Sequence, residues 1–166
     1  MDSDDPLSTL VTVEAPGWRL AVADPEGLCR RAARSTLALA GAPPAVPLEL
    51  GILLTDDAAV RELNRTWRGR DAATNVLSFP TGDGAVVAGA PRLLGDVVVA
   101  LETIGREAAG AGRSCADHLA HMVVHGVLHL LGHDHDSDEE ARRMEALERR
   151  ILGTLGVADP YAEEAA

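Results

Sequence analysis

A chain of 166 residues has room for one domain with a core of its own, and an apolar share of 46% can be buried without covalent staples. A formal net charge of -11 excludes a protein that coats nucleic acid through a general excess of positive charge, and no apolar run reaches membrane-spanning length. The two cysteines, Cys29 and Cys115, fit neither a C-x-x-C nor a disulfide-framework pattern, so they are expected as reduced thiols of a soluble, unprocessed cytoplasmic protein.

Along the chain, alternating Val11 and Val13 predict a first strand, and Pro25 opens a helix through Cys29, Leu37 and Leu39 that Gly41-Ala42-Pro43-Pro44 ends. Leu48 to Leu54 reads as a strand. Thr55 is expected to cap the next helix, with Asp56 and Asp57 in its first turn and Val60, Leu63 and Trp67 buried at i, i+3 and i+7. Arg61, Arg65 and Arg68 form a second stripe there, and for Arg61 and Arg65 a solvated face is the simpler reading. Asn75 to Phe79 is a short strand stopped by Pro80, and Thr81 to Pro91 a Gly/Ala-rich loop. A strand from Leu93 to Ala100, interrupted by Asp96, leads into a helix from Leu101 to about Ala109, with a hinge at Gly110-Ala111-Gly112. Ser114 starts a long helix that is apolar nearly all round and therefore central. Ser137 and Glu140 form a capping box for a last helix burying Met144, Leu147 and Ile151. The expected architecture is α+β: a small mixed β-sheet covered by helices, with a central metal-binding helix. It is read as a single domain over 1–166, with 1–8 and 157–166 as flexible ends.

All six histidines lie between His118 and His135. His125 and His129, four apart, share one face of the central helix and can offer two imidazoles to one ion. Gly132 then breaks the helix, so that the chain turns back and brings in His135 as a third ligand. Three nitrogen ligands leave a fourth position open, which in the zinc pattern marks a reactive rather than a structural site, so one Zn2+ per chain is expected. Such a zinc acidifies its water and polarises the oxygen it faces. Phosphodiesters suit that chemistry, and a guanidinium matches the charge that develops on their oxygens, which makes Arg68 the candidate catalytic residue.

Charge placement fits such a substrate. From Asp134 onward the net charge is -6, whereas Arg61 to Arg70 carries +3, a local basic stripe on an acidic body. All fifteen basic residues are arginine, which in a chain equally heavy in Ala and Gly reads as compositional bias.

Three ordered motifs carry a resemblance. Trp67-Arg68-Gly69-Arg70-Asp71 with Thr74-Asn75-Val76-Leu77-Ser78-Phe79, then Gly95-Asp96-Val97-Val98-Val99, then His121-Met122-Val123-Val124-His125-Gly126 onward through His135 resemble the YbeY family of bacterial rRNA maturation factors, over roughly residues 50 to 150. The resemblance implies a zinc-dependent, single-strand-specific endoribonuclease acting on the 16S rRNA precursor at its 3′ end and in ribosome quality control, in company with the small ribosomal subunit and assembly factors. By position, His125, His129 and His135 match the family's metal ligands and Arg68 its required arginine. Arg65, Arg70, Ser78 and His121 are further candidates for substrate contact. His118 and His121 are placed beside the ligands or in the cleft wall, and His133 is not counted as a ligand. Ala73 and Arg70 depart from a proline and a lysine frequent in the family.

Two rival readings share these residues. A metzincin-like metalloprotease fits the ligand spacing, but such an enzyme carries its general-base Glu directly after the first histidine, where this chain has Gly126. A non-enzymatic ribosome-assembly factor, with zinc only stabilising the fold, fits as well. The general base is not identified by the sequence. Of the two possible nucleophiles, water is expected over the RNA 2′-hydroxyl, because no histidine outside the 118–135 stretch could serve the hydroxyl as base.

Overall fold

Leu7 and Val11 in β1 (Leu7–Val13), and Leu48, Leu50, Ile52 and Leu54 in β2 (Leu48–Thr55), recur with a period of two and are buried, as strands with one face on a core require. In this computed structural model, which describes residues 6–41, 46–81 and 90–162, the two strands run parallel. β2 also pairs in parallel with β4 (Arg92–Ala100), and β3 (Val76–Pro80) adds an antiparallel edge to β4. The sheet is therefore mixed, with order β1-β2-β4-β3, and the α+β expectation is met.

Helices cover both faces, and alternation in the strands decides which residue goes where. Leu50, Ile52, Leu54, Val97 and Val99 join the larger core with α2 (Pro25–Ala40), α4 (Leu101–Ala111), α5 (Cys115–Leu130) and α6 (Asp138–Thr154). Leu77, Val98 and Ala100 point the other way and meet Val60 of α3 (Asp57–Arg68). The helix α5 is buried from His118 to Val124 and again from Gly126 to Leu128, so it is central as expected. A bulge at Leu94 shifts the β2–β4 register, and Gly95 there has φ +145°; a Cβ on it would stand 2.3 Å from the Phe79 carbonyl oxygen. The same Cβ would stand 2.9 Å from Leu130 Cδ2, so the glycine lets both β3 and the end of α5 close on β4 here.

Several expectations are corrected. The cap of α3 is Asp56, whose carboxylate accepts from Ala59 N at 2.8 Å, while Thr55 stays in β2 with its hydroxyl donating to Glu14. Trp67 is 70% exposed, because α3 has run past the sheet by its last turn; Asn64 turns inward instead and donates to the Ala72 carbonyl. A short helix, α1 (Trp18–Ala21), buries Trp18 and sends its indole N–H to Thr55 O at 2.9 Å. The helix α4 continues through Gly110 and Ala111, and only Gly112, at φ +68°, ends it. Near the two ends, Leu7 and Ser8 pair with β2, Arg113 donates to the Pro160 carbonyl and Arg149 bonds to Asp159. Ala42-Pro43-Pro44 and most of the Thr81–Pro91 loop lie outside the described residues.

Candidate metal centre

The histidines sit where local rules put them. Ser114 caps α5 by accepting from Asp117 N, and from there residues 121, 125 and 129 climb one face at intervals of four. The helix stops in a Schellman motif: Gly132 N bonds to His129 O, His133 N bonds to Leu128 O, and Gly132 takes φ +96°. The turn brings His135 back, and one nitrogen each from His125, His129 and His135 lies within 4.8 Å of the others.

Their geometry fits a tetrahedral cation. The Nε2 atoms of His125 and His129 are 3.1 Å apart, close to the edge of about 3.3 Å that two bonds of about 2.0–2.1 Å subtend at a tetrahedral zinc. The His125 Nδ1 atom faces the Glu148 carboxylate at 3.4 Å, so the Nδ1–H tautomer leaves Nε2 as a lone pair toward the cluster. Burial and the nearby His125 and His135 lower the pKa of His129, which favours the neutral imidazole a metal requires.

Glu148 is a residue that sequence reasoning missed. It is 1% exposed, and its carboxylate accepts from His121 Nε2 at 3.0 Å and from the Tyr161 hydroxyl at 2.8 Å, besides facing His125. Burial alone would raise its pKa, but the hydrogen bonds and charges of His121 and His125 outweigh that and hold it down to about 2. A signal was available: Glu148 falls between Met144 and Ile151 on the apolar stripe of α6, where an unpartnered carboxylate would be costly.

The cluster opens into a cleft of about 860 Å³, whose lining includes Arg68, Arg70, Asn75, Ser78, His125, His129, Asp134, His135 and Asp136. Arg68, in the last turn of α3, is fixed by an N–H donated to Ser78 O at 2.8 Å and by its guanidinium lying 5.6 Å from the centroid of the Phe79 ring. One of its five N–H donors is used in that bond. The Ser78 hydroxyl donates to Gly126 O at 3.1 Å, which ties β3 to α5.

Other candidates lie elsewhere. His121 is 7% exposed and turned to Glu148, and it lies outside the cleft lining, so it is not placed to touch a substrate. Arg65 is paired with Glu62 on the solvent side and Arg61 with Asp71, the screened surface pairs of an ordinary exposed face. His118 bonds to Glu107, and His133 stays out of the three-nitrogen cluster.

Gly126 bears on the protease alternative. A Cβ there would be 2.8 Å from Val97 Cγ1 and 3.1 Å from Ser78 Oγ, so a glutamate would be driven into the sheet and not into the cleft.

The family model described as Endoribonuclease YbeY matches residues 22–156. The chain belongs to the YbeY family. Curated relatives named endoribonuclease YbeY include one from Paramagnetospirillum magneticum, 52% identical over 161 residues that span 95% of this chain and 98% of the relative, and one from Azorhizobium caulinodans, 50% identical over 155 residues that span 92% and 94%. The solution structure of TM1509 from Thermotoga maritima is similar in fold, with a TM-score of 0.55 over 89% of this chain and 91% of that one at 23% identity. The span matched by the family model includes the histidine cluster and the Arg68 segment. No helix among the described residues is long and apolar enough to cross a membrane.

Proposed function

We propose that this chain is a zinc-dependent endoribonuclease that hydrolyses single-stranded RNA, acting on the 3′ end of the 16S rRNA precursor and in ribosome quality control, in the cytoplasm beside the small ribosomal subunit and its assembly factors. The observation that carries this reading is the convergence of three imidazole nitrogens and one anchored guanidinium on a single cleft. The family's name supplies the substrate class, and the position of Gly126 weighs against peptide hydrolysis.

His125, His129 and His135 would hold the ion, and a zinc there supplies Lewis acidity and an acidified water. Arg68 offers planar, paired N–H donors to a phosphodiester's non-bridging oxygens, and its bond to Ser78 O fixes the plane before substrate arrives. The N–H on His125 Nδ1 stays with Glu148, so that imidazole keeps a fixed orientation and is not the proton acceptor for the reaction.

Elemental analysis combined with cleavage of a labelled single-stranded RNA tests the reading. About one zinc per chain is expected in the wild type, lost on His125→Ala, His129→Ala or His135→Ala and retained on His133→Ala. Arg68→Ala should keep fold and zinc while lowering cleavage by about 10²–10³-fold, with little rescue by Arg68→Lys. Wild-type cleavage by Arg68→Ala, or a zinc-loaded protein that cuts casein and not RNA, would overturn it.

A further inference from the structure

We infer that Glu148 and Tyr161 form a positioning support for the metal centre, through which α6 and the C-terminal segment select the tautomer of His125. This rests on the proposed metal site and extends it to residues outside the histidine motif.

Three donors converge on one carboxylate that water scarcely reaches. His121 Nε2, His125 Nδ1 and the Tyr161 hydroxyl lie 3.0, 3.4 and 2.8 Å from the same Oε1, and the hydroxyl also lies 3.0 Å from Oε2. An ionised carboxylate can only accept, so each partner must present a hydrogen to it. For His125 that places the proton on Nδ1 and bares Nε2, the atom 3.1 Å from His129 Nε2. Without the carboxylate, His125 could carry its proton on Nε2, and that tautomer cannot bind an ion from this side. His121 is held in the opposite sense, with Nε2–H toward Glu148, while its buried Nδ1 has no hydrogen-bond partner among the described residues. His121 thus backs the carboxylate from the side away from the cleft lining.

Tyr161 makes the support depend on a segment remote in sequence. Its ring stands edge-on to His121 at 5.7 Å, the Arg149 guanidinium lies over it at 5.2 Å from the centroid, and Asp159 accepts its backbone N–H at 2.8 Å. With Arg113 bonded to the Pro160 carbonyl, the tail is fixed at several points before it reaches Glu148. A carboxylate bonded behind a metal-binding imidazole is worth about 10–100-fold in affinity.

Zinc affinity, measured by competition with a chromogenic chelator, and long-range ¹H–¹⁵N NMR of the imidazoles in metal-free protein test this together. Glu148→Gln is expected to lose about 10–100-fold in zinc affinity and to turn His125 from the Nδ1–H form to a mixture. Tyr161→Phe, which keeps the ring, should lose about fivefold, the equivalent of one hydrogen bond of about 1 kcal/mol. If Glu148→Gln does not fold, Tyr161→Phe and the tautomer of wild-type His125 decide. An Nε2–H His125 in the metal-free wild type, or unchanged zinc affinity and tautomer in a folded Glu148→Gln, would overturn the support. A wild type that binds no zinc yet shows Nδ1–H on His125 would instead sink the metal reading and leave the positioning by Glu148 standing.

Discussion

A methyl group added at position 126 meets Val97 Cγ1 at 2.8 Å, nearer than side-chain carbons pack. In an open helix, Gly→Ala gains about 1 kcal/mol; overpacking of a tight interface costs about 1–3 kcal/mol. The second effect should win, because Val97 sits in a strand, wholly buried, and cannot turn aside cheaply. Gly126→Ala is expected to lower stability by about 1 kcal/mol in urea denaturation and to weaken zinc retention, since α5 must lift from β4 and β3 and carry His125 and His129 with it. Gly126→Glu should yield little folded protein and no peptidase activity. A stable, zinc-loaded Gly126→Glu variant would show that the helix has more room than the packing allows.

Among the elements, α3 and α4 cap each other. The Asp57 carboxylate accepts from Thr103 N at 3.0 Å, from the Thr103 hydroxyl and from Arg106, while Glu102 accepts from Asp57 N at 3.0 Å. Two helix N-termini thereby share acidic partners, each relieving the other's unbonded N–H groups. Burial would raise the Asp57 pKa, but the bonds from Arg106 and Thr103 outweigh it and leave the value below its ordinary 3.8. A carboxylate with a depressed folded pKa stabilises above its unfolded value and loses that contribution as pH falls through the folded one. Asp57→Ala should therefore cost about 1–2 kcal/mol at neutral pH, with the difference from wild type shrinking below pH 3.8. A gap that persists unchanged in acid would mean the loss is one of packing. The same elements show what a sequence discloses. The cap at Ser114, the stop at Gly132 and the convergence of three histidines rest on rules spanning a few residues, and they were legible. Trp67 was not, and Glu148 was legible only as a carboxylate misplaced on the apolar stripe of α6. Trp67 obeys the period that buries Val60, but the sheet ends before the helix does. The stripe shows that Glu148 needs partners but not which ones, because they lie on α5 and beyond α6, at separations of 13 to 27 residues.

For the whole molecule, the net charge of -11 and the local excess near Arg68 have to be weighed at the cleft itself. Ion pairs neutralise Arg61 and Arg65, leaving Arg68 and Arg70 as the arginines in the lining, opposed by Asp134 and Asp136. With neutral imidazoles the lining carries no net charge, so attraction for a phosphate backbone is weak until a divalent cation adds two positive charges. Metal-stripped protein should therefore bind a labelled single-stranded oligoribonucleotide poorly, and zinc should restore binding as well as cleavage. Salt dependence gives the sharper test. Each phosphate neutralised on a single strand contributes a slope of about -0.7 in log K against log salt, so the two cleft arginines contribute about -1.4 beyond what the bound cation adds. Arg70→Ala should remove about half of that, and Arg65→Ala should leave it unchanged. A slope several times steeper, with Arg65→Ala and Arg61→Ala both flattening it, would mean that RNA runs along the outer face of α3 and that the cleft admits only the nucleotide being cut.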